Sequence, residues 1–126
     1  MLVGLGVFLM MQLVPYRVDN PPARDEPAWD SPRTRELAAV ACYSCHSNET
    51  KWPGYSNVAP ISWLVQHHVD EGRHELNFSE FDKPQKHAKD AEEELREGEM
   101  PMAGYVAMHG EAKLTEVDAK DIPAKE

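Results

Sequence analysis

Both cysteines of this chain lie in a single pentapeptide, Cys42-Tyr43-Ser44-Cys45-His46. Two thiols three positions apart share one turn of helix, and an imidazole follows directly. C-x-x-C-H is the attachment signature of c-type haem. The thiols reach the two vinyl groups of a porphyrin as thioethers, and the histidine falls under the iron as proximal ligand. Cys42 and Cys45 are therefore read as attachment sites for one covalent haem c, and His46 as an axial ligand. Two other uses of the pattern are weaker. A redox-active C-x-x-C belongs in a βαβ setting, and no segment here alternates with a period of two. A structural zinc needs four ligands, and adjacent Cys45 and His46 make awkward tetrahedral partners.

Charge narrows the class of partner. The chain has 126 residues, with 13 Lys and Arg against 22 Asp and Glu, a formal net charge of −9. That excludes the basic footprint of a nucleic-acid binder and favours a basic protein partner. Hydrophobic residues reach 41%, enough for one packed domain, but aromatics are only 8%. The core is thus expected to be aliphatic, or to be completed by a group that the sequence does not encode.

The chain divides into three parts. Residues 1–14, MLVGLGVFLMMQLV, carry no charged side chain. As a helix they would extend about 21 Å against a hydrocarbon layer of about 30 Å, too short to span comfortably. Their all-round apolar character suits lipid, and no small-x-small cleavage site follows. The expectation is an uncleaved N-terminal membrane anchor. A start further upstream would supply the missing length. Residues 15–30 include Pro15, Pro21, Pro22 and Pro27, which predicts an extended linker holding the head away from the membrane. Residues 31–126 form the haem c domain.

That head reads as short helices with no sheet. Asp30 and Ser31 are N-cap residues and Pro32 suits the first helical position, with Leu37, Val40 and Ala41 on one face. Pro60 opens a second helix, in which Ile61, Leu64, Val65, His68 and Val69 fall at helical spacing and Gly72 lies near the end. Pro84 opens a third, with Ala88, Ala91 and Leu95 as its apolar stripe and Gly98 as its stop. A last short helix is expected from Thr115, with Asp118 in a capping-box position. These helices bury little apolar surface, so the haem itself is expected to complete the core.

A six-coordinate iron needs a second axial ligand. Met100 is the best candidate, since it follows Gly98 and an acidic helix and precedes Pro101, which fixes the loop. His109 on the same loop is its strongest rival. Met102, Met108, His67, His68, His74 and His87 remain as alternatives. The other ring nitrogen of His46 needs an acceptor to fix its tautomer, and the free carbonyl of Pro60, or of Pro53, suits that role. Trp52, with Tyr55 and Trp63, is expected to cover the haem and exclude water. Asn48 and Lys51 are candidates to cap the turn after the haem helix or to reach a propionate, and Arg73 is a further propionate candidate, with an ion pair to Asp70 or Glu71 as its alternative. Six acids between Asp90 and Glu99 form either a solvated helix face or a docking patch for a basic redox partner.

The stretch CYSCHSNETKWPGYSNVAPISWLVQHHVDEGRHELNFSEF, with the later GEMP and MHGEAKLT segments, resembles the haem-binding-domain family of small bacterial monohaem c-type proteins. The resemblance implies an all-α fold related to small cytochromes c, wrapped around one haem. It also implies placement outside the cytoplasmic membrane, often behind an N-terminal anchor. By position, Cys42 and Cys45 match the attachment sites, His46 an axial ligand, and Met100 the second ligand. The chain departs from the family pattern in the weakly aromatic segment after Met100-Pro101, and in Pro123, which shortens the C-terminal helix. The expected function is electron transfer on the periplasmic side of the cytoplasmic membrane, with no substrate chemistry. The alternative is a haem enzyme or sensor whose sixth iron position is open or displaceable.

Overall fold

In the computed structural model, which describes residues 1–115, the chain is all-α. Six helices follow in order: α1 (Leu2–Met11), α2 (Pro32–Ala41), α3 (Tyr43–His46), α4 (Ile61–Glu75), α5 (Asp90–Glu97) and α6 (Ala103–Met108). Short 3-10 turns cover Gly54–Asn57 and Gly110–Ala112. The described residues form no strand, only an isolated bridge between Asp25 and Glu80. The helix expected from Thr115, with Asp118 and Pro123, lies outside the described residues.

Local chemistry explains where these elements start and stop. The Ser31 hydroxyl accepts from the Thr34 N–H at 3.2 Å, and Pro32 occupies the first turn of α2. Leu37, Ala38 and Ala41 are buried as the helical spacing requires, whereas Val40 turns outward. The helix expected from Pro84 begins six residues later, at Asp90. Gln85 explains the delay. Its side chain folds back, accepting from the Asn77 N–H at 3.0 Å and donating to the Glu80 carbonyl at 2.9 Å, which holds residues 84–89 in turns. Asp90, Glu92 and Glu93 then sit in the first turn of α5, where carboxylates complement the exposed N–H groups. Gly98 ends α5 in the left-handed region, with φ +77°.

Helix α4 is rotated from its expected face: Val69 is buried as the spacing requires, and Val65 and His68 are half-buried. Ser62, Gln66, Val69 and Gly72 are buried, while Ile61 and Leu64 are exposed. The polar groups are buried because the chain before α2 lies across them. Residues 15–30 are extended, as the prolines require, but they are fastened to the head rather than free. Val18 N–H donates to Gln66 Oε1 at 2.6 Å, and Asn20 exchanges bonds with the Thr50 backbone at 2.9 and 3.2 Å. Arg73 reaches out from α4 to the Asp19 carbonyl at 2.5 Å and to Asn20 Oδ1 at 2.6 Å. Further along, the Ser79 carbonyl accepts from Arg24 and Asp25 N–H, and Asp25 accepts from Phe81 N–H.

The core is small and centred on rings. Phe78 stacks on Tyr43 and Phe81 with centroids 5.7 and 5.9 Å apart, and lies 5.6 Å from Trp29. Ala38 and Leu76 complete this cluster, and Leu37, Leu95 and Leu114 form a second. The expected aliphatic core is thus corrected: the few aromatics are concentrated at one place.

α1 buries no residue. It is joined to the head through Gln12, whose amide donates to the Ala59 carbonyl at 3.1 Å and accepts from the Ala59 N–H at 2.9 Å. Among the described residues no helix is long and apolar enough to cross a membrane.

Candidate functional site: a haem cavity at the CxxCH turn

Helix α3 is a single turn that begins where α2 ends. Cys45 and His46 N–H both donate to the Cys42 carbonyl, at 3.2 and 2.9 Å. The turn is locked from several sides. The Ser47 hydroxyl donates to the Tyr43 carbonyl at 2.6 Å and the Thr50 hydroxyl to the Ser44 carbonyl at 2.7 Å. Phe78 N–H donates to the His46 carbonyl at 2.7 Å, and Arg73 Nε to the Ser47 carbonyl at 2.7 Å. Asn48, expected to steady this turn, does so from a buried network with Asn77 and Ser79.

Gly72 sets the distance between α3 and α4. A Cβ at this position would stand 2.3 Å from the Cys45 carbonyl oxygen and 3.0 Å from its carbon, so only glycine permits this contact. The close approach brings α4 backbone to His46. His46 Nδ1 lies 2.8 Å from the Gly72 carbonyl and 3.0 Å from the Leu76 carbonyl. Carbonyls only accept, so Nδ1 carries the proton and the Nε2 lone pair is left for a metal. These two carbonyls replace the expected Pro60 acceptor. Pro60 instead precedes α4, and its carbonyl accepts from Trp63 and Leu64 N–H.

Cys42, Cys45 and His46 line one cavity of about 380 Å³, a size proper to a cofactor site. α4, α5 and the segment from Met100 to Tyr105 supply the other walls. Met100 and Met102 both reach it, as do His68 and His87, while Phe78 joins it to the ring cluster. His109 is engaged elsewhere: Tyr55 Oη lies 2.7 Å from its Nε2, and Tyr105 stacks on it at 4.5 Å. Trp52, expected to cover the haem, does not line the cavity, and neither do Trp63 or Met108. Of the propionate candidates, Arg73 is spent on Ser47 and residues 19–20, and Lys51 is exposed.

The two thiols are unbridged. Burial pushes the Cys42 thiol up to about 12, and burial raises Cys45 as well despite nearby Arg73. A redox-active C-x-x-C depends on a depressed thiol, so these groups are unlike one. Among the described residues no group of three or more His, Cys, Asp or Glu side chains is arranged to hold a metal ion, which argues against the zinc reading. A porphyrin iron needs less from the chain, since its ring supplies four nitrogens. One oriented histidine, two thiols on the same wall and a thioether across the cavity match what such a group requires.

Phe78 and Gly72 are the residues that sequence reasoning missed. Phe78 lies in the stretch that resembles the family, but nothing in its local pattern marks it as a wall of the cavity. Gly72 was visible, but helical spacing alone reads it as a stop.

No curated protein and no solved structure matches the chain. A family model of the haem-binding domain matches residues 6–124, nearly its whole length, and so covers the strap as well as the head. The chain belongs to the haem-binding-domain family.

Proposed function

We propose that this chain carries one haem c, held by thioethers from Cys42 and Cys45, and that it is an electron carrier on the outer side of the bacterial cytoplasmic membrane. The observation that carries this reading is His46, its Nδ1 pinned by the Gly72 and Leu76 carbonyls, in the same cavity that Cys42 and Cys45 line. Bound there, haem supplies a one-electron ferric–ferrous couple. Every other task falls to the chain. Gly72 and Leu76 hold the His46 ring, and Met100 on the cavity wall would offer a thioether to the iron. Phe78 and Leu95 exclude water from the cavity.

The acidic run has a place in this reading. Asp90 and Glu94 reach the cavity while Glu93 is exposed to solvent, so negative charge runs from the cavity outward. A basic redox partner steered to α5 would arrive close to the haem. Helix α1, apolar and exposed on every side, is the element proposed to engage the bilayer.

The test is a pyridine haemochrome spectrum of protein purified from membranes, after extraction with acid and organic solvent. Covalent haem stays with the chain and gives the thioether-type spectrum. Haem that extracts overturns the covalent assignment. A high-spin ferric spectrum with rapid carbon monoxide binding would instead favour a sensor or enzyme with an open sixth position.

A further inference from the structure

The charge balance of the cavity poses a problem for haem. Glu71 and Glu75 of α4 and Asp90 and Glu94 of α5 reach it, and no lysine or arginine does. Haem brings two more carboxylates, its propionates. An ionised carboxylate set among others is unfavourable unless a donor faces it.

The donors on the cavity wall are few, and most are committed. The Ser44 hydroxyl faces the Tyr105 phenol. His87 is engaged at both ring nitrogens, with Nε2 3.0 Å from Glu75 Oε2 and Nδ1 2.8 Å from Asp90 Oδ2. His46 is the iron's ligand. His68 is different. It is half-buried, lines the cavity, and makes no hydrogen bond or ion pair among the described residues; its nearest ring, that of His67, lies 6.3 Å away. It stands on α4 four residues before Gly72, one turn along the helix face that carries the His46 acceptor.

We infer that His68 is the propionate-binding residue of this cavity and that its ring gains and loses a proton with the oxidation state of the haem. The inference rests on the haem reading above. An imidazolium donates to the propionate and offsets its charge. When one electron arrives from the redox partner, the iron centre loses one positive charge, and the surroundings hold an added proton from water more favourably. The groups that share this field are Cys42 just before α3, Cys45 on it, and His67, Glu71 and Glu75 from α4. His87 precedes α5, Asp90 and Glu94 lie on it, and Tyr105 comes from α6.

The experiment is an equilibrium redox titration of the haem-loaded full chain across about pH 5 to 8, where imidazoles ordinarily change charge. The midpoint potential of the unmodified chain should fall as pH rises, because the departing proton removes positive charge near the iron. His68→Gln should remove at least half of that fall and leave the absorption spectrum unchanged, since glutamine still donates but cannot titrate. A second reading needs no variant: the His68 ring resonances of the unmodified chain should titrate at different pH in the ferric and ferrous forms. Wild-type pH dependence in His68→Gln, loss of the dependence in His87→Gln instead, or a His68 titration blind to oxidation state would each overturn the assignment. Failure of the haem reading itself would appear earlier, as protein without haem absorption.

Discussion

Gly72→Ala is the sharpest test of how this site is built, because two physical effects predict opposite signs. Alanine in place of glycine inside a helix ordinarily stabilises by about 1 kcal/mol. Here the added Cβ would lie 2.3 Å from the Cys45 oxygen and 3.1 Å from the Cys45 Cβ. Both neighbours are fixed, one being backbone and the other held by it, so α4 must retreat by about 1 Å to restore ordinary contact. That movement stretches the bond between His46 Nδ1 and the Gly72 carbonyl from 2.8 Å to beyond hydrogen-bond range. Overpacking of this kind costs about 1–3 kcal/mol, and the lost bond costs about 0.5–1.5 kcal/mol. Less the gain in helix propensity, the net loss is about 2 kcal/mol. For a domain of this size that lowers Tm by about 8–16 °C. Thermal unfolding of the haem-loaded protein, followed by far-UV circular dichroism, measures it. A Tm that is unchanged or raised would show that α3 and α4 do not meet as described.

Three further outcomes are expected. Met100→Ala should leave haem attached but abolish the weak long-wavelength absorption of a methionine-ligated ferric iron; an unchanged spectrum would transfer the ligand role, with Met102 next on the same wall. Glu26 pairs with Arg35 through two bonds of 2.8 and 2.6 Å, which holds its carboxyl below the usual range. A depressed carboxyl stabilises the fold above its unfolded value and stops doing so as pH falls through the folded one. Glu26→Gln should therefore cost about 1 kcal/mol at neutral pH and almost nothing in acid, as read by urea denaturation at both. Arg73→Ala should release residues 15–30, so that trypsin cuts after Arg17 and Arg24 much faster than in the unmodified chain, as mass spectrometry of the digest will show.

The haem turn was legible because its chemistry is local. Five consecutive residues carry the thiols and the imidazole, and Ser31 with Pro32 marks the helix leading into them. The acceptor for His46 was not legible. Gly72 and Leu76 act there through backbone carbonyls, which every residue possesses, and only the packing of α4 selects them. The outward face of α4 misled for a related reason. Ile61 and Leu64 have the side chains of a core, but Gln66 has a partner in residues 15–30, and partners decide which polar groups are buried. Pro84 suits a helix start in isolation, and the Gln85 side chain overrides it by binding the preceding loop. That Met100 reaches the cavity follows from its neighbours in the chain, whereas the fate of His109 depended on Tyr55, more than fifty residues away.

Arg73 follows Gly72 directly. One turn of α4 therefore grips the haem-bearing turn with one residue and the strap with the next. Through its bond to the Ser47 carbonyl, Arg73 also touches the residue after His46. A pull on the N-terminal segment meets the Gln12–Ala59 and Val18–Gln66 bonds first, and what passes them is delivered at Arg73, beside His46. Tension on the leash and the seating of the His46 ring are thus parts of one short lever.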